Sequence, residues 1–236
     1  MYYLDDFYET NHGLVSIKPE QASKFAKEIS DDFNPLHDPD NKRFCVPGDL
    51  LFAITLAKYG LSKKMVFNYT GMVGKGVELV YPDVIDRTFI LEDSRGKECL
   101  NAEISGDVVT DLVAIESFTK AYVAFSGHSF PHILVALMKD SNVMINPARP
   151  MVIYESMAFE FDQLDLVLPS LALTKTSLEV NGKRGTVKIN FDLLDQGKVV
   201  GKGFKTMVLS GLREYDESKV QALIKSYEGF KLSYQA

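Results

Sequence analysis

The sequence has no tryptophan, only two cysteines and only four histidines, and these shortages narrow the chemistry before any motif is considered. Cys45 and Cys99 stand alone, so neither a disulfide framework nor a C-x-x-C metal site can be built. Reducing cytosol is the compartment such thiol usage suggests. Histidine chemistry is confined to His12, His37, His128 and His132. Also missing is any apolar run near the ~18–20 residues of a membrane helix, so no membrane partner is expected. The opening Met1-Tyr2-Tyr3-Leu4-Asp5-Asp6 lacks the basic-then-apolar order of a secretory signal. Positive charge is in deficit: 26 Lys and Arg face 32 Asp and Glu, a net charge of −6. A global pull on nucleic acid is therefore not expected, which leaves room only for a local basic pocket.

What is present suits a globular chain. Apolar residues make up 46% of 236, enough for a sizeable core in one large domain or two smaller ones. Ala22, Phe25, Ala26 and Ile29 recur at helical spacing behind Pro19, which predicts a helix over 19–30. Asp31 to Asn41 cannot continue it. That stretch holds two prolines and six Asp or Asn side chains, which compete for backbone hydrogen bonds. Val46-Pro47-Gly48 then opens an apolar segment, 49–59, that ends at Gly60. It is apolar around nearly its whole circumference and so predicts a buried helix. Strands are expected at 77–81, 85–91, 97–110 and 112–125, where β-branched and aromatic residues alternate with turn residues. A last helix is expected from Asp216, with Gly229 as its stop.

The second half echoes the first. Residues 95–104 resemble 181–190 at an offset of 86, and Lys120-Ala121-Tyr122-Val123 resembles Lys205-Thr206-Met207-Val208 at 85. Val46-Pro47 before one helix resembles Phe130-Pro131 before another at 84. This predicts an internal duplication: repeat one over 1–126, repeat two over 127–215, and a tail over 216–236. The polar loop occurs once, in the first repeat.

Within that loop, Asp32-Phe33-Asn34-Pro35-Leu36-His37 sets a carboxylate and an imidazole five residues apart across a turn. On a bent loop the two can converge and activate a water. The helix start after Pro47-Gly48 offers N–H donors to a developing oxyanion. Together these parts suit addition of water to a double bond beside a carbonyl.

The motif, followed by Phe44-Cys45-Val46-Pro47-Gly48-Asp49-Leu50-Leu51-Phe52-Ala53, resembles the signature of the MaoC-like, (R)-specific enoyl-CoA hydratases. The resemblance covers about residues 20–60. It implies an α+β hot-dog fold, an antiparallel sheet wrapped around a central helix, and for the duplicated chain a double hot-dog. It further implies that Asp32 and His37 are the catalytic pair, that Asn34 fixes the loop, and that the Gly48 amide polarises a thioester carbonyl. The acyl chain would lie near Leu51 or Phe52. The substrate would be a trans-2-enoyl thioester of coenzyme A or an acyl carrier, with no cofactor, and Lys42, Arg43, Lys63, Lys64 and Lys75 are candidates for carrier phosphates. Hot-dog units generally pair, so a monomer and a homodimer both fit. The alternatives are an acyl-CoA- or lipid-binding protein without catalysis, and a thioesterase.

Two positions depart from the family pattern. Asp31 stands where glycine is usual, and Asp49 where an apolar residue is usual. A carboxylate ~6 Å from a developing enolate would oppose it by roughly 2–3 kcal/mol at an effective dielectric of ~20. Asp49 is therefore expected to weaken or change the chemistry.

Overall fold

The spacing around Phe25 does form a helix. In the computed structural model, which describes residues 2–235, a short hairpin, β1 (Glu9–Asn11) and β2 (Leu14–Ser16), leads into α1 (Pro19–Lys24). A π-helical turn, Phe25–Ile29, extends it and buries Phe25 and Ala26. The polar loop holds one 3-10 turn, Pro35–His37. Next comes α2 (Gly48–Tyr59), which Gly60 ends at a φ of 90°, a backbone state that favours glycine.

Then follow β3 (Leu61–Tyr69), β4 (Glu78–Val80), β5 (Thr88–Asp93) and β6 (Glu98–Val109). After them come α3 (Leu112–Gly127), α4 (Leu134–Asp140) and a two-residue strand, β7 (Val143–Met144). Four long strands complete the main sheet: β8 (Val152–Phe161), β9 (Pro169–Asn181), β10 (Arg184–Asp195) and β11 (Lys198–Ser210). The chain closes with β12 (Arg213–Glu214), paired to β7, and α5 (Glu217–Gln235).

Residues 112–125 correct the expected strand. Ile115, Phe118, Thr119, Tyr122, Val123 and Ser126 are buried at helical spacing, and the Asp111 side chain caps the start by accepting from the Val113 N–H at 2.7 Å. Here the 3.6-residue period outweighs the β-branched and aromatic content. Gly229 does not stop α5 either; the helix runs through it.

The main sheet has ten strands in the order β1-β2-β4-β5-β6-β3-β8-β11-β10-β9, all antiparallel. Outward from the β3–β8 seam the two halves share one plan: β3, β6, β5, β4 on one side and β8, β11, β10, β9 on the other. At the seam Met65 lies opposite Phe159 and Phe67 opposite Met157, all buried, while Lys64 pairs with Glu160 at 2.7 Å on the outer face. Helices cover the inner face. Phe52 of α2 packs against Phe67, Phe118, Tyr122 and Phe159 in one core. Leu134 and Met138 of α4 meet Val187, Ile189, Met207 and Leu209 in a second. The fold is α+β, a double hot-dog.

That topology revises two of the three residue matches. The β5–β6 turn corresponds to the β10–β11 turn at Gln196-Gly197, not to the β9–β10 turn at Gly182. Lys120 to Val123 are helical, whereas Lys205 to Val208 are strand. Of the matched residues, Pro47 and Pro131 occupy like places, one ahead of α2, which leads to β3, and the other ahead of α4, which leads by way of β7 to β8.

Candidate active site

Backbone geometry of the polar loop is set by its own side chains. The Asn34 amide donates to Asp32 Oδ1 at 2.9 Å, and Asn34 Oδ1 accepts from the Leu36 N–H at 3.1 Å, which starts the 3-10 turn. Asn41 Nδ2 donates to the Pro35 carbonyl at 2.7 Å, and the Cys45 N–H reaches the Leu36 carbonyl at 2.8 Å. These are the local bonds through which Asx residues displace helix. They return the chain on itself, so His37 and Asp32 face each other, with Nε2 to Oδ2 at 3.7 Å.

The imidazole orientation is fixed from behind. His37 Nδ1 lies 2.7 Å from the Cys45 carbonyl, which can only accept, so Nδ1 carries the hydrogen and Nε2 keeps a lone pair in the neutral ring. That Nε2 points toward the carboxylate. At 3.7 Å the separation exceeds a direct hydrogen bond and suits two groups that both reach one small molecule.

Asp32, Asn34, His37, Gly48 and Leu51 all line one cavity of about 270 Å³ between the two halves of the sheet. Val152, Tyr154 and Met207 close it from the second half, and Tyr227 and Phe230 of α5 from above. Gly48 is the first residue of α2, whose first turn leaves N–H groups without helical acceptors and concentrates the positive end of the dipole. A side chain there would crowd Tyr69, whose ring lies 3.1 Å from the position of a Cβ. The Tyr69 hydroxyl donates to the Gly48 carbonyl at 2.9 Å and so holds this helix start in place.

Phe52 is the exception among the expected site residues. It is fully buried in the aromatic core against Tyr122 and Phe159 and does not line the cavity, because it lies about 100° around α2 from Leu51, which does. His132 is exposed, and Lys63 and Lys64, candidates for carrier phosphates, lie on β3 and do not line the cavity.

Asp49 brings company that motif reading missed. It is buried, and its Oδ2 accepts from Ser126 Oγ at 2.6 Å. Ser126 also touches Tyr154 and Lys205, and Lys205 is fully buried. Burial pushes the Asp49 carboxyl up to about 6, against the pull of Lys205. Burial likewise brings the Lys205 ammonium down to about 8. Ser126, Tyr154 and Lys205 belong to the wall of the same cavity. One signal for Lys205 lay in the sequence: with Met207 and Leu209 it holds the alternate positions of β11 that face the core. Among the described residues no group of three His, Cys, Asp or Glu side chains gathers as a metal site, and no single helix is long and apolar enough to cross a membrane.

No curated protein matches the chain. Among solved structures it is similar to a MaoC-like dehydratase, at 10% identity and a TM-score of 0.45 over 87% of this chain and 98% of the other. It is similar to the full-length peroxisomal multifunctional enzyme type 2 of Drosophila melanogaster, at 14% identity and 0.41 over 81% of this chain and 47% of the other. It is also similar to an acyl-CoA thioesterase II of Mycobacterium marinum, at 8% and 0.40 over 72% and 90%. Over residues 1–218 the chain matches the model of the family described as "Protein of unknown function (DUF3581)", and it belongs to that family.

Proposed function

We propose that the chain is an acyl-thioester hydratase that adds water to a trans-2-enoyl group carried on coenzyme A or an acyl carrier protein. The observation that carries this reading is the meeting of Asp32 and His37 across 3.7 Å in a cavity that Gly48, at the start of α2, also lines. His37 Nε2 takes a proton from water while Asp32 Oδ2 accepts the other hydrogen. The water oxygen bonds to the β-carbon, and the electron pair of the double bond moves onto the thioester oxygen. That oxygen lies at the positive end of α2, where fixed dipoles stabilise charge without reorganising. The pair then returns the proton to the α-carbon, so one water is added and nothing leaves. The apolar wall of Leu51, Val152 and Met207 suits an acyl chain. The likeness to a MaoC-like dehydratase is consistent with this assignment, and the likeness to thioesterases keeps hydrolysis as its competitor.

Crotonyl-CoA separates the two. Loss of enoyl absorbance without thiol release is expected for the intact chain. The Asp32→Asn variant is expected to lose about 100-fold or more of that rate, the usual weight of a general acid or base. Thiol release with the enoyl band intact would make the pair hydrolytic. Binding without either signal would make the protein an acyl-thioester carrier or sensor.

A further inference from the structure

Lys205 is wholly buried, and its Nζ meets hydroxyls and a carbonyl rather than a carboxylate. The hydrogens around it can be counted. Ser129 Oγ donates to the Ser126 carbonyl at 2.7 Å, so its lone pairs receive Lys205 Nζ at 2.6 Å. Ser126 Oγ gives its one hydrogen to Asp49 Oδ2 at 2.6 Å. Tyr154 is then the donor in its contact with Ser126 Oγ. Lys205 gives a second hydrogen to the Ser126 carbonyl at 2.9 Å. Its third is shared between Ser126 Oγ at 3.3 Å and the Tyr154 oxygen at 3.4 Å. Every neighbour of Nζ calls for a hydrogen and none offers one. A neutral amine would face its lone pair to nothing, so the cluster is built for an ammonium ion.

The ion it serves is Asp49. That carboxylate sits in the first turn of α2, buried; among the described residues Oδ1 has no hydrogen-bond partner and Oδ2 is tied to Lys205 through Ser126. Left alone it would oppose the positive helix end beside Gly48. We infer that Lys205 is a positioning residue of this site: clamped by Ser126 and Ser129, its ammonium cancels the Asp49 charge and leaves the Gly48 end of the cavity able to receive a negatively charged ligand oxygen. The inference rests on the thioester reading above and names what keeps that site electropositive. Asp49 and Lys205 thus form one compensated pair, a carboxylate at the helix start answered by an ammonium from β11.

Acetoacetyl-CoA tests this because its enolate has an absorbance band of its own. Bound to the intact chain, it is expected to show the enolate band at a pH where the free ligand is mostly the ketone. Lys205→Met is expected to reduce the bound enolate about tenfold, one pKa unit, while butyryl-CoA affinity changes by less than about threefold. Lys205→Arg keeps the band. The double variant Asp49→Asn, Lys205→Met restores it, which a merely structural lysine would not do. Should Lys205→Met fail to fold, the double variant is compared with the intact chain, and equal bands are expected, whereas Asp49→Asn alone, which leaves the ammonium unopposed, is expected to show a band at least as strong. An unchanged band in Lys205→Met overturns the inference. So does a double variant whose band stays about tenfold below that of the intact chain. An intact chain that binds neither thioester removes the thioester reading itself, a result distinct from a band lost by mutation.

Discussion

Asp31 and Asp32 are neighbours in sequence, yet their carboxylates serve different parts of the molecule. Asp32 Oδ2 faces His37 Nε2 at 3.7 Å inside the cavity. Asp31 adopts a left-handed backbone, φ 53°, and sends its carboxylate to His128 at 3.2 Å and to Lys231 of α5. That backbone state explains why glycine is the usual residue there in the family the motif resembles, and Asp is among the few side chains that tolerate it. The second charge is thus neutralised by α5 and helps hold that helix over the cavity. Tyr227 strengthens the same junction: its hydroxyl accepts from the Phe33 N–H at 3.2 Å and donates to the Asp31 carbonyl at 3.3 Å.

Asp31→Gly is therefore expected to be mild where Asp32→Asn is severe. Glycine relieves the left-handed strain, and the lost ion pair is partly exposed and worth about 1 kcal/mol or less. Enoyl-CoA turnover should stay within about threefold of the unchanged chain. A loss as deep as that of Asp32→Asn would show that Asp31 takes part in the chemistry.

His37→Ala is expected to lower turnover on crotonyl-CoA by about 100-fold or more. Thermal stability should fall by only about 1–2 kcal/mol, from the single bond to the Cys45 carbonyl. Circular dichroism melting beside the rate measurement separates the two effects. An active His37→Ala variant would remove the histidine from the mechanism.

Removing one member of the Asp49–Lys205 unit is expected to cost more than removing both. Lys205→Met strands a buried carboxylate and should destabilise the fold by about 3–5 kcal/mol. Adding Asp49→Asn should recover on the order of 2 kcal/mol of that loss. Urea unfolding of the three variants measures the coupling, and additive losses would show that the two charges do not interact.

Stability should also change with pH in a predictable sense. The Asp49 carboxyl rises from 3.8 to about 6 on folding, so between pH 4 and 6 the folded chain holds a proton that the unfolded chain has released. Its contribution is most favourable below pH 4 and declines as pH rises to 6. Lys205 falls from 10.5 to about 8, so its penalty is fully present below pH 8 and eases as pH rises toward 10.5. In the Asp49→Asn, Lys205→Met variant both slopes should flatten. Unchanged slopes in urea titrations across these windows would assign them to other groups.

Gly127→Ala probes how closely the helices meet the polar loop. A Cβ at 127 would lie 1.6 Å from the Ser30 carbonyl oxygen, and backbone rather than a flexible side chain stands in the way. The variant should lose about 3 kcal/mol or more, measured by denaturant unfolding. Full stability would mean that the α3 end and the loop are not in contact in solution.

The sequence by itself determined the local parts. Asx side chains and two prolines bent residues 31–41 into a loop, and the all-round apolar run after Pro47-Gly48 made α2 a buried helix. These outcomes follow from short-range hydrogen bonding and hydrophobic spacing, so Asp32, Asn34, His37 and Gly48 could be read together as one site. Tertiary structure alone decided what surrounds them. Phe52 turned into the aromatic core although its neighbour Leu51 faces the cavity, because a one-residue step rotates a side chain by about 100° on a helix. Lys205 reached Asp49 through Ser126 because the β3–β8 seam brings β11 beside the end of α3. Residues 49, 126 and 205 share no local pattern, and the low dielectric that couples their charges exists only once the two halves have closed around them.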